Sequence, residues 1–506
     1  MTVELSNQMD VARKSLNSHS SRQERSKIGQ FLTPARIARF MASLFVREWE
    51  DVRILDAGAG AGVLFTACVE KMVSGKHRPS SIKVVAYEND EQVLPYLKEA
   101  IERCKSTCRE YGVSFQGEIR EEDFIPAAIE QTDEGLFSIQ HEPFTHAIVN
   151  PPYKKINGQS CTRRSLEKAG IEVSNLYAAF VWLIARMLEP GGELVAITPR
   201  SFCNGPYFRQ FRIRFLYMMS LRWIHVFESR KKAFGDDNVL QENVIYHAVR
   251  GGRKPECLTI SSSDGLDFDR ASSRSVPYEQ VVDPGDRDAF IRLILKESDN
   301  TILDRMRGFT TSLERLGLEV STGRIVDFRS KEYLRPSPED GTVPLIYSCH
   351  FDDGYIKWPV ESDKKPNAIR SSLQTSDFFV PAGYYVLTKR FSTKEERRRV
   401  VAAIYDPNRI SSAFVGFENH LNFFHSRGKG LSPNLTKGMA LYLNSSLFDQ
   451  YFRFFSGHTQ VNATDLRKMR YPTWEQLLRL GSHVKHRMPD QESIDTILEK
   501  ECPVHG

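Results

Sequence analysis

The tetrapeptide Asn150-Pro151-Pro152-Tyr153 brings together hydrogen-bond acceptors, a rigid backbone and an aromatic ring. The amide oxygen of Asn150 and the carbonyl oxygen of Pro151 can accept the two hydrogens of an exocyclic amine, such as that of adenine. This draws the nitrogen toward sp³ character and aims its lone pair at an electrophilic methyl group, and the prolines hold the acceptors in position. Tyr153 offers a flat face for an extruded base. The alternative is a polyproline turn that leaves a strand.

A glycine-rich turn, ILDAGAGAG at 54–62, lies where a strand is expected to give way to a helix. Gly58 and Gly60 let the backbone approach a ligand that any Cβ would exclude, and Asp56 precedes them. Glu88 ends the next apolar run, where an acidic side chain can hydrogen-bond ribose hydroxyls. The turn predicts a nucleotide-type cofactor, although plain tight turns also contain such glycines.

Two further segments carry groups suited to the same ligand. Asp123 and Phe124 follow the third apolar run, where a carboxylate and a ring can hold the edge and the face of an adenine. Taken alone, each is a surface acid or a packed ring. Upstream, Thr33 is a good N-cap, and Pro34 suits the first position of the amphipathic helix over 35–45. A plain capped helix is one interpretation, and a cap that also contacts the ligand is the other.

Alternating strands and helices are needed to position these groups. Apolar β-branched runs at 53–57, 82–88, 113–119, 145–150 and 192–199 are separated by helical patterns such as 93–105 and 176–188. We expect the second helix to end at Glu189, where Pro190-Gly191-Gly192 supplies a breaker. This alternation predicts an α/β fold with a parallel sheet covered on both faces.

The domain boundaries follow from changes in composition along the 506 residues. Residues 1–25 are polar and are predicted to be a flexible arm, and 26–255 hold the α/β pattern. The Ser- and Asp-rich tract within 256–284 is predicted to be a linker. Beyond it, 285–506 lose the β/α rhythm and are predicted to be a mixed α+β domain.

The composition favours a soluble cytoplasmic protein. The eight cysteines are scattered, and only Cys104 and Cys108 lie close together, at the spacing of one helix face; we expect no metal. The N-terminus lacks the apolar core of a signal peptide, and no run is long enough to cross a bilayer. The net charge of +5 permits a nucleic-acid partner without requiring one.

Three basic segments could contact the phosphates of such a partner. They are Arg230-Lys231-Lys232, Lys389-Arg390 and the stretch from Lys394 to Arg399. The last also fits an ordinary solvated helix with paired charges, which is the interpretation we favour.

The order of these motifs resembles that of the N6-adenine DNA methyltransferases. FLTP (31–34), DAGAGAG (56–62), Glu88, EDF (122–124) and NPPY (150–153) follow one another as in the gamma-order subgroup, with a target-recognition domain last. The length and layout resemble the type II restriction-modification methylases of the PstI and BsuBI group. The specific motifs lie within 26–250, and segments 323–330 and 440–472 resemble parts of the family's target-recognition domains.

The resemblance implies a Rossmann-like S-adenosylmethionine-dependent methyltransferase sheet over 26–255 and a DNA target-recognition domain over 285–506. By resemblance, Asn150, Pro151, Pro152 and Tyr153 are catalytic, and Phe234 is a second ring that stacks on the target base. The cofactor-binding residues implied in the same way are Phe31, Thr33, Pro34, Asp56, Gly58, Gly60, Glu88, Asp123, Phe124 and Phe180.

The resemblance also implies S-adenosyl-L-methionine as cofactor and double-stranded DNA as partner, with adenine N6 methylated at a short palindrome, CTGCAG for this group. It implies a monomer that modifies only and has a genetically linked restriction endonuclease. An RNA-base or protein-glutamine N-methyltransferase is the alternative enzyme, since NPPY serves those reactions too. A binding protein that keeps an inactive methyltransferase fold is the non-enzyme alternative.

Overall fold

Nine described strands of the first part of the chain form one sheet. The computed structural model describes residues 5–11, 33–132, 142–227, 242–361, 365–392, 396–455 and 460–503. The chain divides into two compact units, Met1–Leu295 and Lys296–Gly506. In the first unit the strands are β1 (Asp51–Ala57), β2 (Ser81–Tyr87), β3 (Ser114–Arg120), β4 (Phe144–Val149), β5 (Leu188–Pro199), β6 (Met219–Phe227), β7 (Asn243–Arg250), β8 (Cys257–Ser263) and β9 (Ser272–Pro277). Its helices are α1 (Ala35–Ser43), α2 (Val63–Ser74), α3 (Leu94–Glu110), α4 (Phe124–Thr132), α5 (Cys161–Lys168), α6 (Leu176–Met187), α7 (Arg209–Met218) and α8 (Tyr278–Val281).

The strand order is β3-β2-β1-β4-β5-β7-β6-β8-β9. Strands β1 to β5 pair in parallel, whereas β7 runs antiparallel to both β5 and β6. All six residues of β4 are buried, as expected for a central strand of a parallel sheet covered on both faces. All five predicted runs form strands, and the predicted α/β fold class is confirmed.

The expected helix terminator lies inside a strand. Helix α6 ends at Met187, and β5 begins at Leu188, so Pro190-Gly191-Gly192 belongs to β5. The pairing of β4 with β5 shifts register between Phe144 and His146, opposite these glycines. A Cβ on Gly192 would lie 3.0 Å from the carbonyl oxygen of Phe144. The glycines therefore allow a close approach of two strands.

The predicted linker over 256–284 is wrong, because this segment supplies β8 and β9. Strand β8 pairs in parallel with β6, from Trp223 opposite Thr259 onward, and β9 pairs with β8. The serines of β8 are buried, and Ser261 and Ser263 hydrogen-bond the two ring nitrogens of His225 at 2.8 and 3.0 Å. A polar tract was mistaken for a linker because its hydroxyl groups find buried partners. The first unit also extends past the expected boundary at 285, to Leu295.

The N-terminal segment is not wholly a flexible arm. Residues 5–11 form a helix whose Leu5 and Met9 are buried in the core of the first unit. The backbone nitrogen and hydroxyl of Ser6 donate to Glu70 in α2 at 3.0 and 2.8 Å. Two apolar anchors and a shared carboxylate therefore dock this segment, although its composition is polar.

The second unit is mixed α+β. Its described strands are β10 (Glu319–Thr322), β11 (Leu334–Arg335), β12 (Thr342–Ile346), β13 (Phe351–Asp352), β14 (Tyr355–Ile356), β15 (Ala368–Arg370), β16 (Phe379–Pro381), β17 (Tyr385–Lys389), β18 (Ala402–Tyr405), β19 (Phe414–Phe417) and β20 (Leu421–His425). They form sheets of order β10-β20-β17-β18-β14-β13 and β11-β15-β12-β19-β16. Its helices are α9 (Glu297–Arg307), α10 (Pro433–Leu443), α11 (Ser446–Phe455), α12 (Ala463–Arg467), α13 (Trp474–Ser482) and α14 (Gln491–Glu501).

The side chain of Asn444, the residue after α10, exchanges hydrogen bonds with both backbone groups of Ala402 in β18 at 3.1 and 2.9 Å. The solvated helix expected over 394–399 is wrong for its described part: residues 396–399 are not helical, and Arg399 is fully buried. Arg230-Lys231-Lys232 lies outside the described residues. No helix in the described ranges is long and apolar enough to span a membrane.

Candidate active site

Asn150 and Tyr153 lie just beyond the carboxyl end of β4 and are joined by hydrogen bonds. The hydroxyl of Tyr153 donates to Oδ1 of Asn150 at 2.8 Å and to the carbonyl oxygen of Ile197 in β5 at 3.2 Å. Nδ2 of Asn150 donates to Oγ1 of Thr33 at 3.0 Å. In this arrangement Oδ1 of Asn150 faces the Tyr153 hydroxyl and Nδ2 faces the Thr33 hydroxyl.

Thr33 performs a different task from the predicted helix cap. The N-cap residue of α1 is Pro34, not Thr33, and the side chain of Pro34 makes no capping hydrogen bond. Instead the backbone nitrogen of Ala35 donates to Oδ1 of Asp10 at 3.2 Å, so a distant segment caps α1. The hydroxyl of Thr33, buried at 7% exposure, is thereby left to accept from Asn150.

The prolines and the ring of Tyr153 form the rest of the tetrapeptide. Pro151 is buried, whereas Pro152 and Tyr153 are half-buried. Burial of the hydroxyl end raises the pKa of Tyr153 well above its ordinary value. The phenol therefore stays protonated at neutral pH and remains a donor to Asn150.

Three residues that the sequence did not single out support this ring. Tyr177 in α6 lies edge-on to Tyr153, with ring centroids 6.3 Å apart. Tyr177 stacks on Phe208 at 5.4 Å, and its hydroxyl lies 3.0 Å from Oγ of Ser201. Tyr177 has helical spacing like any core residue, and Phe208 carries no motif, so only the three-dimensional arrangement reveals them.

The glycine turn leaves β1 next to this site. Leu55 of β1 pairs with Ala147 of β4, and Gly58 and Asn150 each follow three residues later on these adjacent parallel strands. Gly58 and Gly60 have φ of 77° and 54°, the left-handed region that glycine favours. The backbone nitrogens of Gly58 and Ala59 both donate to the carbonyl oxygen of Tyr87, at 2.9 Å each. The turn therefore has the conformation that the sequence predicted.

Glu88 ties the turn to the end of β2. Its Oε2 accepts from the backbone nitrogen of Gly60 at 2.8 Å, and its Oε1 accepts from those of Asn89 and Asp90 at 2.9 and 3.0 Å. Burial raises the pKa of Glu88, and these hydrogen bonds lower it in part. The carboxylate is fixed at the sheet edge where the sequence predicted a ribose ligand.

Asp56 is a fully buried acid in β1. Neither carboxylate oxygen meets a donor in good hydrogen-bond geometry, although the backbone nitrogen of Phe65 in α2 approaches closely enough to lower its pKa in part. Burial has the larger effect and, with a smaller contribution from the charge of Glu88, raises the pKa well above the ordinary value. A buried carboxylate with so little donor contact is costly, so this position favours a ligand that brings a donor or a positive charge.

The predicted aromatic residues meet beside the turn. Phe124 packs against Phe180 at 4.8 Å and against Tyr87 at 5.1 Å between ring centroids. A Cβ on Gly58 would lie 3.9 Å from the ring of Phe180. Asp123 is exposed and accepts from the backbone nitrogen of Ile125 at 3.0 Å, at the start of α4. The rings therefore line the turn, whereas Asp123 caps a helix in this structure.

Two predicted residues, Phe31 and Phe234, lie outside the described residues. Of the remaining candidates, those at the carboxyl ends of β1, β2 and β4 share one edge of the sheet. In the described ranges, no group of three or more His, Cys, Asp or Glu side chains could hold a metal ion.

Comparison with known proteins identifies the family. Residues 70–234 match the Eco57I restriction-modification methylase family. The type II methyltransferase M.PstI of Providencia stuartii is 43% identical over 99% of this chain and 98% of its own length. M.BsuBI of Bacillus subtilis is 44% identical over 94% of both chains. The chain belongs to the type II restriction-modification methyltransferases.

Solved structures agree with this fold assignment. The type IIL restriction-modification enzyme MmeI, solved in complex with DNA, is similar over 99% of this chain and 74% of its own, with a TM-score of 0.56 and 11% identity. At that identity the likeness shows the fold alone. The nine-stranded sheet of the first unit is thus the Rossmann-like sheet of a methyltransferase, and the predicted family is confirmed.

Proposed function

We propose that this type II methyltransferase transfers a methyl group from S-adenosyl-L-methionine to N6 of adenine in a short site of duplex DNA. The observation that carries this proposal is the Asn150 amide, held between Thr33 and Tyr153 beside the glycine turn. These hydrogen bonds support a role in which Oδ1 of the amide is held ready as the acceptor before substrate arrives. Such preorganisation favours positioning of an amine over base catalysis.

The residues around the glycine turn fit the cofactor. The fully buried carboxylate of Asp56 suits the ammonium group of a methionine moiety, and Glu88 suits ribose hydroxyls. Phe124 and Phe180 supply apolar faces for an adenine ring. When bound, the cofactor supplies the electrophilic methyl group. Thr33, Pro34, Gly58, Gly60 and the exposed Asp123 complete the proposed pocket, to which the resemblance adds Phe31.

The tetrapeptide fits the acceptor base. The N6 amine of adenine is a poor nucleophile because its lone pair is delocalised into the ring. Oδ1 of Asn150 and the carbonyl oxygen of Pro151 accept hydrogen bonds from the two N6 hydrogens. These hydrogen bonds restore nucleophilic character to the nitrogen. Tyr153, with Phe234 by resemblance, stacks on an adenine extruded from the duplex, and Tyr177 supports the Tyr153 ring from behind.

The wider role follows from family membership. We propose that the enzyme acts as a monomer, that its site is the palindrome CTGCAG, and that methylation protects host DNA from a genetically linked restriction endonuclease. We propose 26–255 as the catalytic part and the second unit, which begins at Lys296, as the target-recognition domain. Gel filtration at low concentration tests the monomer, and cleavage of methylated CTGCAG duplexes by an endonuclease of that specificity tests the site.

A transfer assay tests the reaction itself. Purified protein is incubated with S-adenosylmethionine labelled in the methyl group and with unmethylated DNA, RNA or a protein extract. We expect label in DNA only. The Asn150→Ala variant, matched to wild type for folding by circular dichroism, is expected to transfer no label above background. Label in RNA or protein alone, or in none of the three, would overturn the proposal.

A further inference from the structure

Three segments of the second unit meet at one end of its six-stranded sheet. The backbone nitrogen of Asn419 donates to the carbonyl oxygen of Ile325 at 2.8 Å, so residues 325–329 run beside the turn after β19. The backbone nitrogen of Arg390, at the end of β17, donates to the carbonyl oxygen of His420 at 2.8 Å. Together they present what we call the aromatic-basic face, which comprises Phe328, Arg329, Lys389, Arg390, Phe391 and His420.

Two large aromatic rings on this face are open to solvent. Phe328 is 70% exposed and Phe391 is 44% exposed. The guanidinium carbons of Arg329 and Arg390 lie 5.5 and 5.9 Å from the ring centroids of Phe328 and Phe391. The ring of His420 meets that of Phe391 edge-on at 4.8 Å. Each exposed ring is therefore paired with a cation, the combination that recurs where proteins contact nucleic acid.

Two carboxylates near the face, Glu418 and Asp327, are engaged by neighbouring side chains. Glu418 is 2% exposed, and its Oε1 lies 2.6 Å from Nδ1 of His420. Asp327 accepts from Nζ of Lys365 at 2.6 Å and from the hydroxyl of Tyr347 at 2.8 Å. The acids are thus engaged by their own neighbours, and little negative charge opposes an approaching phosphate.

The arginine and lysine side chains of the face differ from His420, which lies against Glu418. Among the described residues, neither Arg329 nor Lys389 nor Arg390 forms an ion pair with a carboxylate. Arg390 donates to the carbonyl oxygen of Asn419 at 3.1 Å and so also holds the turn. By contrast, Arg305 and Arg307 on α9 pair with Glu499 and Asp304 at 3.0 and 3.2 Å. These two pairs provide a matched control on the same unit.

We propose that the aromatic-basic face binds the target duplex, with Arg329, Lys389 and Arg390 contacting phosphates and Phe328 and Phe391 contacting base edges. Phosphate contacts supply affinity, and apolar contacts such as those with thymine methyl groups supply discrimination. This inference rests on the proposed function and assigns the DNA partner to one surface of the second unit.

The salt dependence of binding tests the cationic part. Affinity for a CTGCAG duplex is measured at several salt concentrations for wild type, for Arg329→Gln with Lys389→Gln, and for Arg305→Gln with Arg307→Gln. Each lost phosphate contact lowers the slope of log affinity against log salt by about one. We expect the first double variant to lose about two units of slope and the control to lose none. Equal slopes for wild type and the first variant, or a loss in the control alone, would overturn the inference.

The role of the Phe328 and Phe391 rings is tested by measuring how well the protein distinguishes a specific duplex from a non-specific one. Phe328→Ala and Phe391→Ala are expected to reduce the ratio of specific to non-specific duplex affinity while leaving the salt slope unchanged. Thermal unfolding verifies that each variant is folded. An unchanged ratio in both variants would remove the rings from base recognition. If wild type methylates DNA but no face variant alters binding, this inference fails alone, whereas absence of DNA methylation by wild type defeats the proposed function.

Discussion

Asn150 can act as a fixed acceptor only if its two neighbours hold the amide in one orientation. Thr33 accepts from its nitrogen, and Tyr153 donates to its oxygen. If either partner were lost, the amide could rotate and present its nitrogen to the incoming amine, which also carries only donors. The proposed chemistry therefore depends on the orientation of the Asn150 side-chain amide.

Replacing Thr33 with valine keeps the shape of the side chain and removes the acceptor. We expect kcat for DNA methylation to fall about fivefold, since a net hydrogen bond contributes about 1 kcal/mol. The dissociation constant of the cofactor should change little. Steady-state kinetics and cofactor titration measure both, and Thr33→Ser should restore kcat. A wild-type kcat in Thr33→Val would show that the contact has no catalytic role.

We expect the ionised carboxylate of Asp56 to destabilise the ligand-free fold and to strengthen cofactor binding. Burial raises the pKa of Asp56 in the folded state above its value in the unfolded chain. The fold is therefore most stable below the ordinary pKa of aspartate, where the carboxyl is neutral in both states. This stability is lost as the pH rises through the higher pKa of the folded state. We therefore expect Asp56→Asn to unfold at a higher temperature than wild type at pH 8 and at a similar one in acid. A gain of about 1 kcal/mol corresponds to roughly 2–4 °C.

The same Asp56→Asn variant should bind S-adenosylmethionine more weakly at pH 8, because it lacks the negative charge. Calorimetry of cofactor binding and thermal unfolding are performed on the same preparations. A variant that is less stable than wild type and binds the cofactor equally well would contradict the assigned role.

At the level of elements, α1 connects the N-terminal helix to the site. The carboxylate of Asp10 caps α1 one residue beyond Pro34, and Thr33 immediately precedes it. The sequence could not reveal this, because the cap comes from 25 residues away and Thr33 satisfies every local rule for a cap itself. The geometry of Asn150 thus depends on a segment that composition alone describes as an arm.

Replacing Asp10 with alanine should remove this cap. We expect the free energy of unfolding to fall by about 1 kcal/mol and kcat to fall with it, since Thr33 loses its support. Chemical denaturation and methylation kinetics report the two effects. Val11→Ala, at a residue 68% exposed in the same segment, is the control and should match wild type. If Asp10→Ala were as stable as the control, the N-terminal helix would have no role in supporting the site.

The sequence predicted the first five strands of the sheet far better than the strands β8 and β9 at its edge. Strands such as β4 are continuous apolar runs, so burial alone identifies them. Strand β8 carries serines whose hydroxyls bond His225, and a local pattern cannot distinguish a buried hydroxyl from a solvated one. Local patterns likewise sufficed for Asn150, Gly58 and Glu88, because each belongs to a sequence motif or ends an apolar run. Tyr177 belongs to neither and was found only through its contact with Tyr153.

At the scale of the whole molecule, the two units divide the proposed tasks. The residues proposed to bind cofactor and base all lie before Leu295, and the aromatic-basic face lies after Lys296. A net charge of only +5 over 506 residues means that DNA affinity has to come from local arrangement of cations rather than from overall charge.

A fragment of residues 1–295 should separate these tasks. We expect it to fold, because its sheet and core are complete within the described residues, and to bind S-adenosylmethionine with an affinity near that of the full chain. Its preference for a specific duplex over a non-specific one should be lost. Calorimetry and electrophoretic mobility shifts measure the two properties. A fragment that retains site preference would contradict the assignment of recognition to the second unit.

The most direct measurement is the identity of the methylated nucleoside in host DNA. Genomic DNA from cells that lack other methylases and express either wild type or Asn150→Ala is digested to nucleosides and analysed by mass spectrometry. We predict N6-methyladenine with wild type and none with the variant. Methylated cytosine in place of N6-methyladenine, or equal N6-methyladenine with Asn150→Ala, would contradict the claim that a fixed asparagine amide directs transfer to the adenine amine.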